Sequence, residues 1–122
     1  MKTLKKMNLK ENEEKALLEL KARILDKFPD AEIILYGSKA RGDADEESDI
    51  DILVLIDTPP LDWKAGDIDQ SIERQLRDIS FELELKREVI FNILVESKKY
   101  WETPLVKAMP LRWNIDREGI IL

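Results

Sequence analysis

The sequence predicts an α/β (α+β) domain in which a mixed β-sheet is flanked by helices. Three observations predict it. Short apolar runs at 33–36, 49–56 and 89–95 have the length and composition of buried strands. Stretches with apolar residues at steps of three and four lie before, between and after those runs. The chain of 122 residues has no Gly/Pro/Ser-rich linker and no internal repeat, so residues 1–122 are expected to form a single domain.

The elements follow in order. Asn8 and Glu11 stand three apart, the spacing of a capping box, and open the first periodic segment. Leu17, Leu20, Ile24 and Phe28 recur at helical spacing, which predicts a helix over 9–27 ended by Pro29-Asp30. The run 33–36 is a strand that stops at Gly37-Ser38, and a polar stretch carrying Gly42 separates it from a second strand over 49–56. Thr58-Pro59-Pro60 closes that strand, and a loop continues through Trp63 and Gly66. Ile68, Ile72, Leu76, Ile79 and Leu83 predict a helix over 67–85. Its end is left open, because Phe81, Leu83 and Leu85 also alternate as in a strand. A third strand over 89–95 has Asn92 as its one polar interruption. The segment 97–118 reads as two helical pieces divided near Thr103-Pro104 or Met109-Pro110, with Gly119 as C-cap. Trp63, Trp101 and Trp113 are expected to pack in the core or at an interface.

Composition narrows the chemistry. A net charge of −6 argues against broad binding to nucleic-acid phosphates, which needs clustered Lys and Arg. It leaves a nucleotide ligand open, because a metal ion can bridge acidic protein and acidic substrate. The chain has neither Cys nor His, so disulfides, thiolate metal sites and a histidine base are excluded. Acid–base work would fall to Asp, Glu, Lys or Tyr. No apolar run approaches the roughly 20 residues that span a bilayer. The basic N-terminus lacks the apolar stretch of a signal peptide, and a cytoplasmic protein without membrane attachment is expected.

The chemistry concentrates between Gly37 and Asp51. Gly37-Ser38 follows a strand and precedes a stretch able to form a helical turn, where unpaired backbone N–H groups bind phosphate. Glycine lets the backbone approach closely, and the Ser38 hydroxyl adds a donor. Asp49 and Asp51 are spaced i, i+2, so on a strand both side chains share one face, about 7 Å apart, while Ile50 and Ile52 point into the core. Two such carboxylates repel each other unless a cation lies between them, and oxygen ligands with retained water suit Mg²⁺. Arg41 lies close enough in sequence to engage phosphate with its planar fork. Two similar motifs fail. Gly37 and Gly42 have the gap of a P-loop, but Asp43 stands where Lys is required. Asp43, Asp45 and Glu47 resemble the start of an EF-hand loop, but Ser48 and Val54 replace its Gly and Glu.

Gly37-Ser38-x-x-Arg41-Gly42-Asp43, followed by Ser48-Asp49-Ile50-Asp51 and an apolar strand, resembles the signature of the polymerase β-type nucleotidyltransferases. It is most similar to the minimal nucleotidyltransferases of bacteria and archaea. The tail from Thr103-Pro104-Leu105 through Asn114 to Ile120 resembles the C-terminal helix of small members. The resemblance implies a nucleotidyltransferase fold, Mg²⁺ held by Asp49 and Asp51, and a nucleoside triphosphate held at Gly37 and Ser38 with Arg41 in support. It implies transfer of a nucleoside monophosphate, AMP from ATP above all, to an acceptor hydroxyl. Small members are often paired with a helical HEPN-type partner, as antitoxin to its ribonuclease activity. A homodimer or hetero-oligomer is compatible with a small domain whose shallow site needs a partner to close it.

One departure stands out. Active members add a third carboxylate on a later strand, where this chain has Asn92. An amide oxygen ligates metal weakly and cannot accept a proton. Glu82, Glu84, Glu88 and Glu96 are the acids nearest in sequence. Two readings follow: an active Mg²⁺-dependent nucleotidyltransferase, or a degenerate nucleotide-binding domain that acts as a protein-interaction module.

Overall fold

The computed structural model describes residues 9–43, 49–58 and 68–122. The predicted Asn8 cap, the acidic stretch 44–48, and Trp63 and Gly66 lie outside the described residues.

Helix α1 (Glu11–Lys27) starts from Lys10, whose N–H donates to Glu13 Oε1 at 2.9 Å, so Glu13 rather than Glu11 closes the first turn. Its buried stripe is Ala16, Leu17, Leu20 and Ile24, close to the predicted one. Strand β1 (Glu32–Tyr36) runs directly into the short helix α2 (Gly37–Arg41), and β2 (Ile50–Ile56) follows. Helix α3 (Gln70–Arg87) is capped by Asp69, which accepts the Ser71 N–H at 2.8 Å. The alternation at Phe81, Leu83 and Leu85 is helical: Leu83 is buried, while Phe81 and Leu85, four apart, share the solvent face.

Strand β3 (Phe91–Ser97) begins later than predicted, because Glu88 ends α3 in the left-handed region and Val89 and Ile90 make the connection. The tail folds into three short helices, α4 (Lys98–Trp101), α5 (Pro104–Lys107) and α6 (Pro110–Glu118). Both candidate break points are used, and each proline opens the helix that follows it. Gly119 is the C-cap of α6 but is extended, at φ −66°, so it leads the chain into β4 (Ile120–Ile121), a strand that no periodicity predicts. A Cβ on Gly119 would stand 2.5 Å from Ile115 O and 2.9 Å from Ile34 Cγ2.

The sheet order is β3-β2-β1-β4, with β2 and β3 parallel and the β1–β2 and β1–β4 pairs antiparallel. Alternation divides the strands between two cores. Ile33, Leu35, Ile50, Ile52, Val54 and Ile56 pack against α1 and α3. Ile34, Leu53 and Leu55 face Tyr100, Trp101, Val106 and Ile115 of the C-terminal helices. Trp101 is buried in the core, and Trp113 is exposed in this chain, its Nε1–H donating to Lys107 O at 2.7 Å. No described helix is long and apolar enough to cross a membrane.

The short helix α2 is fixed from below by a buried ion pair. Lys39 Nζ lies 2.9 Å from Glu13 Oε2 and 3.1 Å from Oε1, and the lysine side chain is 2% exposed. Two charges taken out of water need geometry this close for their attraction to repay the desolvation. The pair ties the turn that follows β1 to the first turn of α1.

Candidate functional site

Three strands deliver one row of polar side chains. Tyr36 of β1 is in register with Asp51 of β2, and Asp51 with Asn92 of β3. Residues directly opposite on neighbouring strands share a face. Asn92 Nδ2 donates to Asp51 Oδ1 at 3.0 Å. Asp51 is half-buried and has no ion pair among the described residues. Burial raises the pKa of Tyr36, and the negative charge of Asp51 adds to the effect.

The glycine turn meets this row. Gly37 has φ +76°, and a Cβ on it would stand 2.3 Å from Asp51 Oδ2 and 3.2 Å from Cγ. The close approach therefore requires glycine twice, once for the backbone conformation and once for space. Gly37 and Ser38 open α2, where the sequence places a helical turn. Asp49 is exposed just before β2, two residues ahead of Asp51, while Ile50 and Ile52 are fully buried behind them.

Arg41 closes the other side. Gly42 caps α2 in the left-handed region at φ 85°, its N–H donating to Ser38 O at 2.9 Å. Arg41 Nε donates to Asp43 Oδ2 at 3.1 Å, and Nη1 donates to Glu118 Oε2 at 3.1 Å and Oε1 at 3.2 Å. The carboxylate of Asp43, and then that of Glu118, raises the Arg41 pKa. The Gly37 N–H donates to the same Glu118 Oε1, at 3.1 Å. One carboxylate from α6 thus joins the two ends of α2.

Among the described residues, no acid on or beside β3 replaces Asn92 next to Asp51. Glu82 pairs with Arg23 on α1, and Glu84 accepts the Phe91 N–H at 3.3 Å. Glu88 is an exposed C-cap, and Glu96 pairs in register with Leu55, toward the other end of β3. Among the described residues, no three acidic side chains gather to hold a metal ion. Asp49, Asp51 and the Asn92 amide are oxygen donors at this end of the sheet. A cavity of about 470 Å³ lies under α3, lined by Leu76, Arg77, Ser80, Phe91, Ile93 and Val95; it belongs to the helix-covered side and not to the Asp51 row.

Of the residues the sequence singles out, Gly37, Ser38 and Arg41 lie on α2 and Asp49 and Asp51 at the start of β2, and Gly37 approaches Asp51 directly. Sequence reasoning assigned no role to Tyr36, Lys39 or Glu118. Tyr36 precedes the turn, and strand pairing with β2 would have revealed it. Glu118 lies 81 residues from Gly37, and no spacing signals the contact.

The chain matches the model of the nucleotidyltransferase domain over residues 17–111. It is 41% identical over 113 residues to a provisionally named protein adenylyltransferase of Methanocaldococcus jannaschii, covering 91% of this chain and 98% of that protein. A second provisionally named protein adenylyltransferase of the same organism is 61% identical over 28 residues, 23% of this chain and 28% of that protein. With the glycine turn set against a strand carboxylate, and a match that spans most of its length, the chain belongs to the nucleotidyltransferase domain family.

Proposed function

We propose that the protein transfers AMP from ATP to a hydroxyl group on a protein acceptor, with Mg²⁺ held by Asp49 and Asp51. The observation that supports this reading is the approach of Gly37 to Asp51, which brings the glycine turn of the family-like motif beside a strand carboxylate. The donor set fits the ion. An exposed and a half-buried carboxylate without cationic partners among the described residues, flanked by an amide, offer oxygen ligands and leave room for water. When bound, the metal would neutralise charge on the polyphosphate and on the leaving pyrophosphate. The chain's own residues do the rest: the Ser38 hydroxyl binds phosphate oxygens, and Arg41 supplies a fixed positive charge. The family match and the name of the longer relative support ATP as donor and protein as acceptor. A HEPN-type helical partner, implied by the sequence resemblance, is the first acceptor to test, and transfer to it would be the antitoxin activity.

The test uses ATP labelled at the α-phosphate, Mg²⁺, and the protein with such a partner or with fractionated host proteins. Label should enter protein and be lost with Asp51→Asn. Label from the γ-phosphate entering instead would contradict the reading.

A second reading is favoured by one observation. Asn92 stands where a third carboxylate would accept the acceptor's proton, and an amide cannot do so. On that reading the domain binds nucleotide and partner without turnover. Partner binding that survives Asp51→Asn, with no label transferred by the parent protein, would favour it.

A further inference from the structure

We propose that Glu118 is a positioning residue for the nucleotide site: its carboxylate, held between the Gly37 N–H and Arg41, fixes the direction in which Arg41 presents its guanidinium to the polyphosphate. The inference rests on the reading of this site given above. Three hydrogen bonds of 3.1–3.2 Å converge on this one carboxylate, two from Arg41 Nη1 and one from the Gly37 amide. Its side chain is 9% exposed, whereas that of Arg41 is 45% exposed. The acid is therefore the embedded member and the guanidinium the one that faces out.

The backbone holds Glu118 in place. The next residue, Gly119, donates its N–H to Ile115 O at 2.7 Å and leaves no space for a Cβ between that carbonyl and Ile34. Ile120 then pairs with Leu35, on the strand that ends at the glycine turn. The acid and the turn are thus fastened to the same strand from two sides.

Arginine has five N–H donors in a planar fork. Asp43 takes Nε and Glu118 takes Nη1, so Nη2 makes no hydrogen bond among the described residues. A phosphate would meet a fixed negative charge at the Gly37 amide. It is directed instead to the Ser38 hydroxyl and to Nη2. Without Glu118 the Arg41 side chain keeps its charge but is left with the exposed Asp43 as its acidic partner among the described residues, so more of its ordering must come from the ligand.

The experiment is calorimetric binding of Mg²⁺ and the non-hydrolysable analogue α,β-methylene-ATP to the parent chain, Glu118→Ala, Glu118→Gln, Arg41→Ala and the double variant Arg41→Ala/Glu118→Gln. Glu118→Ala should weaken binding about tenfold, the size of one charge-assisted hydrogen bond. Glu118→Gln keeps an acceptor for Gly37 and should lose less, and its loss should vanish in the Arg41→Ala background. Binding as tight as or tighter than the parent in Glu118→Gln would overturn the proposal, since removing a negative charge would then merely favour an anion. So would losses that add fully in the double variant, because Glu118 would then act on the fold and not through Arg41. The Gln variant and its cycle decide the matter even if Glu118→Ala fails to fold. Failure of the parent chain to bind the analogue would instead strike the proposed function, and this inference with it.

Discussion

Asp51 Oδ2 occupies the space that a Cβ on residue 37 would need, 2.3 Å from where that atom would lie. The positive φ of Gly37 makes the same position unfavourable for any side chain. Gly37→Ala should therefore cost about 1–3 kcal/mol of stability and displace Asp51 from its row with Tyr36 and Asn92. Urea denaturation checks the first effect and nucleotide binding the second. A variant of parental stability and affinity would show that the approach is loose.

The buried pair of Lys39 and Glu13 holds α2 on α1. Lys39→Met should destabilise the protein by about 3–5 kcal/mol, because it strands a carboxylate in the core. Lys39→Met/Glu13→Leu should recover much of that loss, since no unpaired charge remains. Chemical denaturation of the two variants side by side gives the comparison. Equal losses would mean that the geometry of the pair, and not the stranded charge, dominates.

Asn92→Asp would set a second carboxylate against Asp51, where the amide now donates at 3.0 Å. Like charges at this spacing repel, so the variant should be less stable than its parent without divalent metal. Added Mg²⁺ should raise its melting temperature more than that of the parent. The same Mg²⁺-induced shift in both proteins would place the ion away from this row.

The Asp69 carboxylate caps α3, and the Ser71 N–H holds its pKa below the ordinary aspartate value of 3.8. The folded state therefore binds a proton less readily than the unfolded chain. The cap's contribution is fully present above pH 3.8 and is lost as pH falls through the depressed folded value. Asp69→Ala should lower the melting temperature at pH 7, and the gap from the parent should close in strong acid. A gap independent of pH would assign the effect to helix propensity and not to the charged cap.

Most of the fold was legible because β1 to β3 are apolar runs, β1 and β2 are followed by Gly37 and by Pro59-Pro60, and the long helices carry clear stripes. The row at the site was legible in part for the same reason. Strand alternation alone places Asp49 and Asp51 opposite Ile50 and Ile52, and the latter two are indeed fully buried. What stayed hidden depends on pairing across long separations. Strand β4 is two residues long and exists because β1 offers it an edge, so it has no periodicity of its own. Lys39 reads as a surface charge until α1 brings Glu13 to it. Glu118 reads as the end of an exposed helix until Gly119 and Ile120 turn the chain back onto β1. The capping box was displaced by two positions, because Glu11, Glu13 and Glu14 all fall in the first turn and spacing alone does not choose among them.

A crystal grown with Mn²⁺ and α,β-methylene-ATP would locate the ion and the phosphates together. An anomalous peak between the carboxylates of Asp49 and Asp51, with phosphate oxygens at Ser38 and Arg41, is the outcome expected. Nucleotide seated in the cavity under α3, or metal bound without either aspartate, would contradict it.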